Sequence, residues 1–333
     1  MQSFEIKVNE AGQRFDKYLK KLLPGAPTSF IYKMLRKKNI VLNDKKCEGV
    51  EKTAVGDVVK LYLSDKTIEE FSAKTPVVAE VALPEPEVLY MDDDCMIVNK
   101  PAGVLSQKDE SGDYSMVEVI TNYLLRNNHI SAEELRTFKP AVCNRLDRNT
   151  SGILACGISL AGSQALSEVI RNRSVKKEYI CFVKGRVTEQ MHLSGYLSKN
   201  EKNNKVRVFK EKPDADAQYI ETWFKVLYSD ERYSVLLVDL ITGKSHQIRA
   251  HLSSINHPIL GDNKYGDMML NKTLKKYGVR SQMLHAYRLT FPQTKVKALD
   301  KLSGKSITAP LPGEFYRLLE GENIGWQPGQ EEA

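Results

Sequence analysis

The chain has 333 residues, 41% apolar and 27% charged, with a formal net charge of +7, which is enough to bury one large core or two smaller ones. This composition excludes a disordered or fibrous chain. No uninterrupted run of about 18 apolar residues occurs and MQSFEIKVNE has no basic-then-apolar start, so the expectation is a cytoplasmic protein without a helical membrane span or secretory leader.

The first predicted elements form a basic module. Between Arg14 and Lys60 stand 12 lysines and arginines against 5 acids, leaving 37 of each sign elsewhere, so the whole net charge sits here. In QRFDKYLKKLLPG, Phe15, Leu19, Leu22 and Leu23 recur at helical spacing with Lys17, Lys20 and Lys21 on the other faces, and Pro24 and Gly25 stop the helix. A second amphipathic helix, FIYKMLRKK, is expected to be capped by Thr28 or Ser29 and to end at Asn39. It turns Ile31, Met34 and Leu35 toward the first helix and Lys33, Arg36, Lys37 and Lys38 toward solvent. IVLNDKKCE reads as a strand and an Asn-Asp turn, and GDVVKLYL as another strand. The expectation is a helix-helix-strand unit with a basic surface that grips phosphates without reading sequence.

Two patterns in this module, R-x-D-K-x-L as RFDKYL and S-x-x-x-x-x-x-R-x-x-x-I-x-x-N as SFIYKMLRKKNIVLN, resemble the small RNA-binding domain first described in ribosomal protein S-four. The resemblance covers residues 13–65 and implies RNA contacts from Arg14, Lys17, Lys33, Arg36 and Lys37. It suggests a substrate class and no reaction.

Residues 66–86 show no long period and end in Pro84 and Pro86, which reads as a linker. A second domain is expected over residues 87–325. VLYMDDDCMIVNKPAGV predicts two strands around an Asp-rich turn, and YSMVEVITNYLLRNN a helix. LAGSQALSEVIRNR predicts another helix, capped by Ser159. Strand-like runs follow at EYICFVKG, AQYIETWFKVLY and YSVLLVDLITG, then a short helix at HQIRAHLSS. Strands and helices do not alternate regularly, which favours α+β over a doubly wound parallel sheet.

Several site chemistries are excluded by spacing. Five scattered cysteines without C-x-x-C, and six histidines without H-E-x-x-H, give no dedicated metal site. A phosphate loop ending in Gly243-Lys244-Ser245 would need glycine at position 238, which is Val238. Ser151 lacks the G-x-S-x-G elbow and reads as a turn or cap. There remains NRLDRNTSGILACG, which sets Asp147 between Arg145 and Arg148 where a loop enters a buried strand. The arginines and the backbone of Thr150, Ser151 and Gly152 are candidate partners for its carboxylate. On residue types alone, an ordinary loop ion pair or turn residue is the favoured reading.

The same block resembles the motif H-R-L-D-x-x-T-S-G-L-L-L of the RluA-type family of RNA pseudouridine synthases. Asn144 stands in place of the usual histidine, and Ile153, Leu154 and Ala155 in place of the trailing leucines. NKPAGVLSQ, KKEYICFVKG, TGKSHQIRAHL, HPILGDNKYG and LHAYRLTF resemble further ordered blocks of that family, so the resemblance runs from residue 4 to about 318. It implies a catalytic domain built on a mixed, mainly antiparallel β-sheet with flanking helices. It also implies a reaction that breaks the bond from ribose to uracil nitrogen, turns the base and rejoins the sugar to a ring carbon, with no cofactor and no metal.

Three residues match the roles this chemistry needs: Asp147 as the catalytic carboxylate, Arg249 as its cation, and Tyr179 as a platform for the base or a proton acceptor. Arg145 and Arg148 are added as RNA contacts, as are RNRSVKKEY and the Lys-rich SKNEKNNKVRVFKEK, while His246 and Gln247 read as structural. Attack on the sugar and formation of a glycal would both use Asp147, so the motif leaves the order of steps open. The expected function is an RNA pseudouridine synthase, an isomerase acting as a monomer on large-subunit ribosomal RNA. Transfer RNA is the alternative substrate, and a non-catalytic RNA-binding ribosome-assembly protein is the reading from another class.

Overall fold

The apolar periods become helices and strands in a computed structural model, which describes residues 1–72, 83–200 and 205–331. The amino-terminal unit contains β1 (Gln2–Glu5), α1 (Phe15–Leu22), α2 (Thr28–Arg36), β2 (Ile40–Leu42), β3 (Val58–Leu61) and α3 (Asp65–Phe71). Its strands pair antiparallel in the order β1-β3-β2. Phe15, Leu19 and Leu22 of α1 and Ile31 and Leu35 of α2 share one core with Ile40, Val59 and Leu61. Asn43 and Asp44 both take positive φ, 50° and 61°, and make the expected tight turn.

Local expectations here are corrected in three places. Pro27, not Thr28 or Ser29, is the residue before α2, and no side chain caps that end. Lys38, one residue before Asn39, takes the left-handed conformation that closes it. Part of the expected linker is helical: Ser64 caps α3 by accepting the Thr67 N–H, and Ile68 is buried in the core of the unit. Residues 73–82 of that stretch lie outside the described residues.

The second unit runs β4 (Glu87–Met91), β5 (Cys95–Lys100), α4 (Met116–Arg126), β6 (Ala141–Val142), β7 (Ser151–Gly157), α5 (Leu160–Arg171) and β8 (Lys176–Lys184). It continues through β9 (Met191–Asn200), β10 (Lys205–Phe209), β11 (Gln218–Ser229), β12 (Tyr233–Leu240) and α6 (Gln247–Ser254). It closes with α7 (Met268–Leu274), β13 (Leu284–Thr290), β14 (Ser306–Thr308) and α8 (Gly313–Gly321). Within its described residues, the Lys-rich stretch named as an RNA contact supplies the end of β9 and all of β10.

One sheet gathers these strands in the order β10-β9-β11-β12-β8-β13-β7-β5-β4, with β14 beside β13 and β6 beside β7. Every pairing is antiparallel except β13 with β7, so the sheet is mixed and mainly antiparallel. Alternation along β7 fills both faces: Leu154 and Cys156 join α4 and α8 in one core, while Ile153 and Ala155 join α5 in the other. Burying each such aliphatic side chain stabilises by roughly 1.5–3 kcal/mol. Gly152, with φ +110°, is required where β7 meets β13, because a Cβ there would lie 2.2 Å from the Ala286 carbonyl oxygen. No helix among the described residues is long and apolar enough to cross a membrane.

Candidate active site

Asp147, Tyr179 and Arg249 come from three separate elements and line one cleft of about 620 Å³, a volume suited to a nucleotide. Asp147 sits in the loop between β6 and β7, Tyr179 on β8 and Arg249 on α6.

The loop is held by its neighbours before any charge is considered. Asn144 grips the backbone of β7 twice, donating from Nδ2 to the Ile153 carbonyl at 3.0 Å and accepting the Ala155 N–H at 2.8 Å. Ser106 donates to the Leu146 carbonyl and accepts the Leu146 N–H. The buried Lys100 ammonium donates to the carbonyls of Pro101, Val104 and Arg148 at 2.8–2.9 Å, tying the N-K-P segment to the loop. Burial draws Lys100 down to about 7, opposed by the charge of Asp147. Past the loop, Ser151 is a buried strand residue rather than a turn: its Oγ bonds His285 Nδ1 at 2.8 Å.

The carboxylate itself is oriented by Arg249, whose Nη1 donates to Asp147 Oδ2 at 2.9 Å. The other edge of the guanidinium is taken by Asp262, with Nε to Oδ2 at 2.6 Å and Nη2 to Oδ1 at 3.0 Å. Asp262 is fully buried and also accepts the N–H groups of Lys264 and Tyr265. Arg249 therefore stays charged, its hydrogen bonds and charge pairing with Asp262 and Asp147 outweighing burial.

His246 adds a second contact and corrects its reading as structural. It adopts left-handed φ 58° ahead of α6, and its Nε2 lies 3.8 Å from Asp147 Oδ2. The Tyr265 hydroxyl accepts the Val206 N–H at 2.9 Å and is hydrogen-bonded to His246 Nδ1 at 3.0 Å, which fixes the ring with its Nε2 edge toward Asp147. Gln247 is structural as expected, bonded to Thr222, Thr242 and the Glu221 carbonyl.

Tyr179 is buried, and burial followed by the charge of Asp147 pushes its phenol well above the ordinary range. It presents a neutral ring to the cleft. The flanking arginines do not hold the carboxylate. Arg148 pairs with Asp113 at 2.6 Å, while Arg145 is exposed on the cleft wall with Arg171, Arg173 and Lys244.

Sequence reading missed Asp262, Lys100 and Tyr265 as parts of the site. Each lies in a quoted block, but an Asp-Asn turn, a Lys-Pro step and a lone tyrosine look like surface features until the chain folds. Among the described residues no cluster of histidine, cysteine, aspartate or glutamate is placed to hold a metal.

Comparison with known proteins gives the family. The model of the RNA pseudouridylate synthase family matches residues 94–254, a span that contains Asp147, Tyr179 and Arg249. The ribosomal large subunit pseudouridine synthase C of Haemophilus ducreyi is 30% identical over 96% of this chain and 95% of its own length. The chain belongs to the RluA-type family of RNA pseudouridine synthases. The corresponding synthase C of Pasteurella multocida is 28% identical over 94% of this chain and 91% of its own. Among solved structures, human RNA pseudouridylate synthase domain containing 4 superposes with a TM-score of 0.58 at 23% identity, covering 72% of this chain and 94% of that one. The synthase fold is thus shared well beyond the range of close sequence similarity.

Proposed function

We propose that this synthase isomerises specific uridines of large-subunit ribosomal RNA, with Asp147 as the catalytic carboxylate. The observation that carries the reading is the Arg249–Asp147 pair at 2.9 Å in a cleft walled by Tyr179. The relatives similar along nearly the whole chain are named for the large ribosomal subunit, which supports that substrate over transfer RNA. Asp147 adds to the ribose anomeric carbon, or faces the cationic sugar, as the bond to uracil N1 breaks. Tyr179 stacks on the freed base while it turns, and the new bond forms at C5, whose proton is lost as N1 gains one. The product is an isomer of the substrate, and no redox cofactor or nucleotide takes part.

A uridine inside folded RNA must be extruded to enter the cleft, at a cost of a few kcal/mol for unstacking. The amino-terminal unit, as an S-four-like RNA-binding domain, offsets this through Lys17, Lys33, Arg36 and Lys37, all exposed on α1 and α2 or just beyond them. Arg14 contributes less, because Asp16 already holds its guanidinium in two hydrogen bonds. Arg145 meets RNA at the cleft, and Arg148 serves the loop through Asp113. The protein works in the cytoplasm as a monomer.

The test is to incubate the protein, without metal or nucleotide, with unmodified large-subunit ribosomal RNA and to map pseudouridine by chemical labelling. New pseudouridine with wild type and none with Asp147→Ala is expected. No product on ribosomal RNA, transfer RNA or nascent ribosomal particles, despite tight binding, would leave an RNA-binding assembly factor.

A further inference from the structure

The strands beside the cleft turn a second, uncovered face to solvent at the edge of the sheet. In β9, β10 and β11, Leu197, Val206 and Ile220 point toward Ala250 of α6 and form a small buried cluster. The alternate positions point the other way. There Phe209, Tyr196 and Tyr219 lie directly opposite one another across three adjacent strands. The Tyr196 and Tyr219 rings are 5.9 Å apart at 69°. Two rungs along, Trp223 and His192 stack at 4.0 Å with their planes 6° apart. Tyr219 is 45% exposed, Trp223 46% and Phe209 37%, so this row covers no core.

Charge and position decide what covers it. Arg207 shares this face, opposite Ser198, and residues 198–212 contain six basic and two acidic residues. The acids on the face are engaged: Glu221 accepts from His192 and the Tyr219 hydroxyl, and Asp214 from Ser198. β10 is the edge strand, and its inner side reaches the catalytic pair through the Val206 N–H to Tyr265, whose ring lies 5.1 Å from the Arg249 guanidinium carbon.

We propose that the outer face of β9–β11 is a stacking platform for unpaired bases of the RNA substrate, outside the target uridine. Aromatic faces accept any base, and Arg207, Lys210 and Lys212 stand where the phosphates of a stacked strand would run. The polar Ser194 and Glu221 between the rings, Ser198 beyond them, and the excess of positive charge fit nucleic acid better than the apolar face of a protein. The inference rests on the reading of the chain as an enzyme acting on RNA.

Trp223 and the buried Trp326 are the only tryptophans, so emission changes on adding RNA report this face. Titration of the full-length protein with short oligoadenylate is expected to quench Trp223 emission. A Phe209→Ser, Tyr196→Ser, Tyr219→Ser triple variant, with an unchanged melting temperature, is expected to bind the oligonucleotide roughly tenfold more weakly. On a long ribosomal fragment it raises KM at constant kcat, and on a minimal stem-loop holding only the target uridine it matches wild type. Arg207→Glu, a second variant that leaves the rings in place, raises the same KM. Unchanged emission, or equal affinity in wild type and both variants, overturns the proposal. So does a wild type that dimerises when the triple variant does not, because the face then belongs to a second copy. Quenching by the oligonucleotide from a protein that makes no pseudouridine in any RNA supports the platform while sinking the isomerase reading.

Discussion

The Arg249 guanidinium gives Asp147 one hydrogen bond at 2.9 Å while Asp262 takes its other edge in two. The cation is thus fixed from behind, and its remaining donor has one direction in which to point. Lysine cannot do both, since it is a point charge without a planar fork. Arg249→Lys is expected to keep the fold and lower kcat by roughly 10²-fold or more, as removal of one preorganised donor does elsewhere. Asp262→Ala leaves a buried guanidinium with half its partners and is expected to cost roughly 3–5 kcal/mol of stability. Single-turnover assays and urea denaturation read the two effects separately.

Asp147→Asn keeps the shape of the side chain and removes the negative charge proposed to act at the ribose. Pseudouridine formation is expected to fall by at least roughly 10³-fold with RNA affinity within about twofold of wild type. Filter binding alongside product mapping checks this, and substantial turnover by the variant would remove Asp147 from the catalytic role.

Asn144 occupies the place where the family motif has histidine, and its amide serves a carbonyl and an N–H of β7 together. Asn144→Ala strands both backbone groups and is expected to cost about 1–3 kcal/mol. Asn144→His serves one of the two at a time and is expected to fall between alanine and wild type in both melting temperature and kcat.

His285 donates from Nε2 to the Ala309 carbonyl and accepts the Ser151 hydroxyl at Nδ1, so it is neutral in the fold. Burial pushes it down to about 4. The unfolded chain titrates near 6.5, so between those values it binds a proton that the folded protein does not. The stability associated with neutral His285 is complete above about pH 6.5 and is lost as pH falls toward 4, by up to about 1.4 kcal/mol per pH unit. Urea midpoints measured across this window are expected to fall less steeply for His285→Gln than for wild type.

Lys33, Arg36 and Lys37 are exposed around the end of α2. Changing all three to alanine is expected to weaken binding of ribosomal RNA and to flatten its dependence on salt by about two to three units of the log–log slope. The melting temperature should not move. An unchanged slope would place the RNA elsewhere on the protein.

Local signals carried far in this chain. Helical spacing in FDKYLKKL and in LAGSQALSEVIR, with Ser159 as cap, marked helices that the fold contains. The run SGILACG marked a strand buried at every position. Capping was less legible at α2, where Pro27 stands before Thr28, and at α3, which Ser64 caps inside a stretch that looked like linker. The pairing of β9 with β10 was hidden by the lysines of SKNEKNNKVRVFKEK, and its small apolar face is covered only when α6 arrives.

The sequence by itself determined the order of the motifs and the basic first module, because residue types and spacing are properties of one dimension, and resemblance to the family's motifs singled out Asp147, Tyr179 and Arg249 as a candidate set. Residue types alone left the adjacent Arg145 and Arg148 as candidate partners of Asp147, while the family resemblance implied Arg249. Tertiary structure decided between them. Arg249 is 102 residues away and reaches Asp147, with His246 beside it, because α6 packs beneath the loop, and Arg148 turns out to Asp113. Asp262 acquired its role only through burial, which makes an unpaired guanidinium costly and a bidentate carboxylate its remedy. Which charges meet is fixed by packing, and packing is settled by contacts between segments distant in sequence.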